Sequence, residues 1–223
     1  MVVATRSEHK LREIRGLLNQ AGADLVSLDE LGIPGEPVED GLTFETNARI
    51  KARFAARATG LPALADDSGI EVEALGGAPG VWTRRYAGPD ATDEANNAKL
   101  LRELEGVPSG KRGARYVCVL ALALPDERAP GGLRIIERRG TSRGRVAFAP
   151  RGTGGFGYDP LFEPAREPAG GRTFAEYTAS QKDAISHRGR AARRMASVLR
   201  DLPALRSPGG LGGRGAPTGR VQG

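Results

Sequence analysis

The sequence predicts an α/β fold on the strength of three observations. A short β-prone run, Val2–Ala4, is followed by a polar turn and a helical pattern. A second helical pattern, Thr43–Thr59, leads into the apolar run Leu61–Ala65. Two further strand-like stretches follow, the very apolar Arg115–Leu124 and the alternating Ile135–Arg145. Short apolar or alternating runs are typical of strands, and apolar residues spaced about every three to four positions are typical of helices.

The first helix is expected to start at Ser7, a residue type that caps helix N-termini. Leu11, Ile14 and Leu18 then lie on one side of it. A strand, a polar turn and a helix start bring backbone N–H groups and the helix dipole to one place, where an anion can bind. Lys10 would add a full charge there. The chain contains no Walker A sequence, which argues against a P-loop kinase or ATPase.

The helix Thr43–Thr59 carries a lysine in the middle of its apolar face. Phe44, Ala48 and Ala55 share that face, and Lys51 falls between them. Either its ammonium group extends along the surface to solvent, or it reaches a negatively charged site. The sequence leaves both possibilities open.

Two adjacent acids, Asp66 and Asp67, are expected to close the strand that begins near Leu61. Carboxylates at the carboxyl end of a strand in an α/β sheet point into the crevice where such sheets bind ligands. Neighbouring strand residues face opposite sides, so both acids can serve one site only if the chain twists or turns. We expect Ser68 and Gly69 to supply that turn. The alternative is an ordinary solvated acidic loop.

Two later segments have the composition of a ligand site. Arg151–Phe162 has glycines that allow close backbone approach, two aromatic rings and a carboxylate, which suits a flat heterocycle, although structural turns use the same residues. Ser186 is expected to cap the last helix, with His187 and Arg188 in its first turn. The helix dipole disfavours cations there, so an anion or an acceptor-rich ligand in front of them would explain both.

Composition limits the remaining possibilities. The 223 residues, 39% hydrophobic and 27% charged, suit one sizeable domain or two lobes. No apolar run approaches the ~18 residues needed to span a bilayer, and we expect no signal peptide at the N-terminus. A cytoplasmic location is therefore expected. The single Cys118 lies in an apolar stretch and is expected in the core.

The net charge of +6 invites a nucleic-acid-binding interpretation. Half of that charge belongs to three arginines of the Gly/Pro/Arg-rich segment 206–223, which we expect to be a disordered tail after a domain over 1–205. The domain is only mildly basic, which suits an anionic small molecule at least as well. The arginines of Ile135–Arg145, with Lys111 and Arg112, are expected to be solvated.

The polar residues that lack a structural role are acids, cations and a glycine-aromatic loop. The chain has no Cys/His cluster, so a bound metal would have oxygen ligands. Such ligands select a hard cation, most simply Mg²⁺ carrying phosphates. Acids with a metal, lysines on an anion and a pocket for a planar base describe a nucleoside triphosphate site. No nucleophilic triad is indicated, so direct attack by water is the simplest chemistry. The acids are Glu39, Asp66 and Asp67, and the cations are Lys10, Lys51, Lys182 and Arg188.

From Val2 to about Leu202 the chain resembles the inosine/xanthosine triphosphate pyrophosphatases, which hydrolyse non-standard purine nucleoside triphosphates to the monophosphate and pyrophosphate. The resemblance implies a mixed α/β fold with a long twisted sheet, two lobes around a central active-site cleft, and a homodimer. It rests on five motifs in the family's order: ATRSEHKLREI (Ala4–Ile14), EDGLTFETNARIKA (Glu39–Ala52), LPALADDSGIEVEALGGAPGVWTRRYAG (Leu61–Gly88), GTGGFGYDPLF (Gly152–Phe162) and KDAISHRGRA (Lys182–Ala191).

The resemblance also implies roles for individual residues. Glu39 and Asp67 match acids associated with Mg²⁺, and Asp67 also matches the proton acceptor for the attacking water, with Asp66 and Lys51 beside it in the catalytic centre. A carboxylate that ligates a metal is a poor base, which leaves the division of labour between Asp66 and Asp67 open. Most members have Asn where this chain has Ser7. The segment matching the phosphate-holding loop is Thr5, Arg6, Ser7, Glu8, His9 and Lys10; the other substrate-binding matches are Ser68, Phe156, Gly157, Tyr158, Asp159, Lys182, His187 and Arg188.

Selectivity is expected to rest on purine position 6, where hypoxanthine and xanthine present an acceptor and adenine a donor. Donors such as His187 or Arg188 would pair only with the first. Two alternatives stay open: a house-cleaning pyrophosphatase for other modified nucleotides, and a nucleic-acid-binding protein with steeply salt-dependent binding and no need for Mg²⁺. We expect no membrane partner and no specific nucleic acid.

Overall fold

The protein, described by a computed structural model over residues 1–19 and 24–202, is built on one mixed sheet. Within those residues the sheet has six strands. They are β1 (Val2–Val3), β2 (Val26–Ser27), β3 (Ala63–Val72), β4 (Gly113–Pro125), β5 (Leu133–Val146) and β6 (Phe162–Pro164). Their order is β2-β1-β3-β4-β5-β6. β1 runs parallel to β2 and β3, and the remaining pairs are antiparallel, so the predicted mixed α/β class is confirmed.

The described residues also form five α-helices: α1 (Glu8–Leu18), α2 (Phe44–Thr59), α3 (Asp93–Glu103), α4 (Ala179–Ile185) and α5 (His187–Arg200). Side-chain caps explain where they begin. The hydroxyl of Ser7 accepts from the N–H of Lys10, and Thr43 and Ser186 cap α2 and α5 in the same way. The predicted cap residues Ser7 and Ser186 are thus confirmed.

Helices cover both faces of the sheet. Small residues of α2, including Ala48 and Ala52, pack on one face against Ala65 and Val119. Larger side chains fill the other face, where α1 and α5 bring Ile14 and Met195 against the leucines of β3 and β4. A third cluster, which includes Tyr116 and Phe162, lies at the N-terminal end of β4. Each fully buried large side chain contributes roughly 1.5–3 kcal/mol, and the two layers hold β3 at the centre of the molecule.

The prediction that the third strand ends at the two acids is wrong. β3 continues through Ser68 and Gly69 to Val72, and β4 pairs with it throughout, with Asp66 opposite Leu120. The antiparallel partner satisfies the backbone groups that a turn would have exposed. A Cβ at Gly69 would meet the carbonyl oxygen of Gly80 at 2.5 Å, so glycine is required here by close packing rather than by a turn. Asp66 and Asp67 consequently face opposite sides of the sheet.

The prediction that Arg112 is solvated is also wrong. Its side chain is buried, and its guanidinium donates to the carbonyl oxygens of Leu104, Val146 and Ala147 at 2.9–3.0 Å. An arginine can be buried where its fork of N–H groups meets several carbonyl oxygens. Cys118 is buried in the core, as predicted. The predicted tail, 206–223, lies outside the described residues.

Candidate active site

A cleft of about 810 Å³ opens along β3 and is lined by α1, α2, α5 and the loop before β6. It gathers segments that are far apart in the sequence. Every residue predicted for the site lies on its wall except Asp66, which is buried directly behind it. The predicted residues on the wall are Thr5, Arg6, Ser7, Glu8, His9, Lys10, Glu39, Lys51, Asp67, Ser68, Phe156, Gly157, Tyr158, Asp159, Lys182, His187 and Arg188.

Lys51 extends from α2 to two carboxylates. Its Nζ lies 2.7 Å from Oδ1 of Asp67 and 2.9 Å from Oε2 of Glu39. Of the two possibilities left open for this lysine, the structure has the second, in which the ammonium reaches a negative site. Burial raises the pKa of Asp67 to about 6, because Lys51 and Lys10 offset only part of the desolvation. The two acids raise the pKa of Lys51 in spite of its own burial, so the lysine stays charged.

Asp66 faces the other side of β3 and is fully surrounded by donors. Burial opposes its ionisation, but Arg188 and Lys10 hold its pKa well below the usual range. Nζ of Lys10 lies 2.7 Å from its Oδ1, and Nε of Arg188 lies 3.1 Å from its Oδ2. The hydroxyl of Ser68 and the thiol of Cys118 each donate to it at 3.0 Å. Asp66 is therefore ionised at neutral pH and holds two cations of the cleft.

Glu13 belongs to the same network and is missing from the sequence-based prediction. Its carboxylate pairs with Arg188 and lies 2.8 Å from Nζ of Lys182. Burial opposes its ionisation, but Arg188 and Lys182 lower its pKa. The sequence contains one indication that Glu13 belongs to the site: it lies one helical turn after Lys10 and therefore on the same side of α1.

The glycine-aromatic loop is tied to this network through Asp159. Its Oδ2 accepts from Nζ of Lys182 at 2.7 Å and from the N–H of Phe156 at 3.0 Å. Burial raises the pKa of Asp159, an effect that Lys182 only partly offsets. The ring of Phe156 stacks on that of His9, with centroids 5.3 Å apart, and Nζ of Lys182 lies 4.8 Å from the Phe156 centroid. The cleft thus presents an aromatic face beside cations.

His187 begins α5 with its ring parallel to that of Tyr116, at a centroid distance of 4.5 Å. Burial and the neighbouring Arg188 lower its pKa well below the usual value, so the ring is neutral near pH 7. Its Nδ1 is buried without a hydrogen-bond partner in the described structure. The sequence predicts an anion in front of this helix start, and the protein itself supplies part of it, since Arg188 is paired with the carboxylates of Asp66 and Glu13.

The residues that precede and start α1 differ in their surroundings. The hydroxyl of Thr5 accepts from the N–H of Ser7 at 3.2 Å, which shapes the turn. Glu8 and His9 are exposed on the rim. The guanidinium of Arg6 is bonded to the segment 29–36.

The carboxylates suit a hard cation that is shared with a ligand. Among the described residues, no three His, Cys, Asp or Glu side chains come together as a metal site. Glu39 and Asp67 nevertheless converge on a single cation, the ammonium of Lys51. One or two carboxylates plus substrate oxygens are the usual protein environment of Mg²⁺ in phosphate chemistry.

The fold and the cleft together define an α/β protein with a cleft lined by paired acids and cations and by aromatic rings. The chain belongs to the Ham1 family, whose model matches residues 1–198. It is 52% identical to a dITP/XTP pyrophosphatase of Geobacter sulfurreducens over 86% of this chain and 92% of that protein. A dITP/XTP pyrophosphatase of Escherichia coli O157:H7 is 46% identical over 90% of this chain and 98% of its own.

Solved structures agree with this assignment. A HAM1 protein from Coxiella burnetii superposes with a TM-score of 0.79 at 42% identity, covering 90% of this chain and 98% of that one. The Ham1 protein of Staphylococcus aureus gives a TM-score of 0.77 at 34% identity, with 90% and 97% covered. In the part of the chain that the structure describes, no helix is both long and apolar enough to cross a bilayer.

Proposed function

We propose that this protein hydrolyses the non-canonical purine nucleoside triphosphates ITP, dITP and XTP to the monophosphate and pyrophosphate, which removes them from the nucleotide pool. One observation carries the proposal: a single cleft joins an acid-lysine cluster around Asp67 to a neutral, ring-stacked His187 beside Arg188. The first suits a metal-bound triphosphate and the second a purine. The names of the Geobacter and Escherichia relatives support the same substrates.

Glu39 and Asp67 are the residues proposed to hold Mg²⁺. When bound, Mg²⁺ would neutralise phosphate oxygens and stabilise the charge that develops on the leaving pyrophosphate. Lys10 and Lys51 add two positive charges to the same end of the cleft, where phosphate oxygens can compete for them with Asp66 and with the acid pair. The catalytic roles of these side chains are therefore positioning and charge neutralisation.

Of the two adjacent acids, Asp67 is the better candidate for the proton acceptor. It lines the cleft, and before a metal binds, burial leaves it with a pKa of about 6, close to that of an effective general base near neutral pH. Because a carboxylate that ligates a metal is a poor base, this role requires Glu39 to carry most of the contact with Mg²⁺. Asp66 is buried behind the wall and held by Lys10 and Arg188. In the proposed reaction Asp67 takes a proton from water, the water oxygen bonds to the α-phosphorus, and the bond from that phosphorus to the pyrophosphate oxygen breaks.

Base selection is proposed to rest on His187 and Arg188, which both line the cleft. His187 has an unpaired ring nitrogen in a dry position. A base whose edge forms a hydrogen bond with this nitrogen satisfies it, which is favourable in a buried position. A base with a mismatched edge leaves both the nitrogen and its own polar group without a partner. Phe156 supplies a ring face on which the base can stack. His9, whose ring stacks on Phe156 in this structure, would then remain on the opposite face or move aside.

Three further assignments belong to this proposal. The catalytic domain is 1–205, which contains the whole family match. The protein is proposed to be a homodimer, and the exposed side chains of Val38, Leu42 and Trp82 supply apolar surface that a second copy would cover. A cytoplasmic location is proposed because its nucleotide substrates belong to that pool.

The test is to measure pyrophosphate and phosphate release separately from dITP, XTP, ATP and dGTP, with and without Mg²⁺. Metal-dependent pyrophosphate from dITP and XTP, little from ATP or dGTP, and none from Asp67→Asn is the expected result. Equal rates on all four substrates would contradict the position-6 argument, and phosphate release would place the attack at another phosphorus. Inactivity towards all four, with salt-dependent binding to DNA or RNA, would favour the nucleic-acid interpretation.

A further inference from the structure

Arg6 lies on the wall of the cleft, but its guanidinium is directed to another part of the chain. Its Nη2 donates to the carbonyl oxygens of Ile33 at 2.8 Å and Gly35 at 2.6 Å. Its Nη1 pairs with the carboxylate of Asp29, and its Nε lies 3.5 Å from Oε1 of Glu36. Each polar nitrogen of this side chain therefore has a partner in the same short segment.

A long connection joins β2 to α2, and we call its residues 29–42 the acidic loop. The segment bonded to Arg6 is the first part of this loop. The acidic loop forms one wall of the cleft and includes Glu39. Its backbone hydrogen bonds lie near its start, where Gly32 and Ile33 donate to Asp29 and Leu28. In the described structure, residues 34–40 take part in no backbone-to-backbone hydrogen bond. Side chains must therefore set the position of this part of the loop.

Those side chains act at its two ends. Near α2, Lys51 holds the carboxylate of Glu39, and Nη2 of Arg85 donates to the Glu39 carbonyl oxygen at 3.4 Å. The side-chain oxygen of Asn47 accepts from the backbone N–H of Gly41 at 2.8 Å. At the other end Arg6 holds the segment that precedes Glu39. A charged, planar donor fork that bonds to several acceptors loses little further freedom with each bond and fixes the geometry of all of them.

We infer that Arg6 is a positioning residue, which anchors the acidic loop and thereby sets the place of the Glu39 carboxylate, and that it does not bind phosphate itself. The role of Glu39 rests on the proposed function, whereas the anchoring does not. Asp29 offers an independent way to test the anchor, because its side chain is 62% exposed and it is absent from the cleft wall. A change there cannot remove a phosphate contact.

The first measurement is limited proteolysis of the full chain with a glutamate-specific endoproteinase, with the cut after Glu39 mapped by mass, because the bond from Glu36 to Pro37 resists such enzymes. Arg6→Ala is expected to speed cleavage at Glu39 about tenfold or more, the effect of losing hydrogen bonds to a charged group. Asp29→Ala should speed the same cut by less. Arg12→Ala is the matched control, since Arg12 is an exposed arginine of α1, and it should leave the rates unchanged. Melting temperatures measured in parallel separate local from global loosening.

The second measurement is pyrophosphate release from dITP as a function of Mg²⁺ concentration. If Arg6 acts through Glu39, Arg6→Ala raises the half-saturating Mg²⁺ concentration several-fold while KM for dITP at saturating Mg²⁺ changes little, and Asp29→Ala shifts it in the same direction. Arg6→Lys should resemble Arg6→Ala, because an ammonium cannot reproduce the fork.

Two results would overturn the inference. Unchanged cleavage in Arg6→Ala would show that the loop does not depend on this side chain. A raised KM for dITP in Arg6→Ala, with Asp29→Ala indistinguishable from the unmodified protein in both measurements, would mean that Arg6 binds phosphate directly. If the protein proved inactive on all nucleotides, the proposed function would fail, but the proteolysis result would still decide the anchoring.

Discussion

Arg188 and Asp66, separated by 122 residues in the sequence, form an ion pair that is buried at the centre of the protein, with Nε 3.1 Å from Oδ2. The pair joins α5 to β3 behind the cleft. Burying both charges is costly. The hydrogen bonds and ion pairs around them offset that cost only if every partner is present. Asp66 is satisfied by Lys10 and Ser68, and Arg188 by Glu13. The site and the core therefore share the same residues.

Removing one partner of this pair should be strongly destabilising. Asp66→Asn is expected to lower the free energy of unfolding by about 3–5 kcal/mol, because it leaves the buried charge of Arg188 undercompensated. Urea denaturation measures this directly. The control is Glu137→Gln, which breaks the half-exposed pair with Arg49 and should cost about 0.2–1 kcal/mol. Equal effects of the two substitutions would show that the buried network does not contribute as described.

Glu13 should make stability depend on pH in the acid range. Its pKa is lower in the folded protein than in the unfolded chain, so the carboxylate contributes stability above the unfolded value of about 4.3 and that contribution is lost as pH falls towards the folded pKa. The difference in unfolding free energy between the unmodified protein and Glu13→Gln should be large at pH 7 and shrink below about pH 5. Glu105→Gln, a change at an exposed position, should show no such trend. A constant difference would contradict the assignment.

His187 should affect substrate binding more than folding. His187→Phe keeps a ring stacked on Tyr116 but removes both ring nitrogens. We expect KM for dITP to rise about tenfold, equivalent to one hydrogen bond of about 1.4 kcal/mol, with a melting temperature close to that of the unmodified protein. Steady-state pyrophosphate release and thermal unfolding are the measurements. An unchanged KM would exclude the ring nitrogens from base recognition.

Gly140 should be intolerant of any side chain. A Cβ there would lie 2.1 Å from the carbonyl oxygen of His187 and 2.5 Å from the backbone nitrogen of Ala191, so α5 approaches β5 closely only because the position is glycine. Gly140→Ala is expected to cost about 1–3 kcal/mol of stability. The matched control is Gly16→Ala in α1, where a Cβ meets nothing within 4 Å and should stabilise the helix by up to about 1 kcal/mol. Similar effects at both positions would contradict the close packing.

The last prediction concerns the end of the chain. A protein that stops before Ser207 should keep the turnover of the full chain, because the family match ends at residue 198. Pyrophosphate release from dITP by both forms, at equal folded concentration, is the measurement. Loss of turnover in a truncated but folded protein would show that the segment after 206 takes part in activity.

The sequence by itself determined the class of fold and most of the membership of the candidate site. Local patterns are sufficient for this, because helix caps such as Ser7 and Ser186, and the apolar periodicity of α2, act over a few residues. The five motifs also contain every predicted residue that lines the cleft. The sequence could not decide between two positions for Lys51, since both satisfy the same helical pattern.

Only the tertiary structure decided how those residues are arranged. Ser68-Gly69 has the composition of a turn, yet pairing with β4 keeps it in a strand and sends Asp66 and Asp67 to opposite faces. The charge partners also come from distant segments: Arg188 meets Glu13, and Arg6 meets Asp29. A sequence pattern records which groups are present, whereas desolvation and charge pairing depend on which elements are packed together. Those two effects set the ionisation of Asp66, Asp67 and His187.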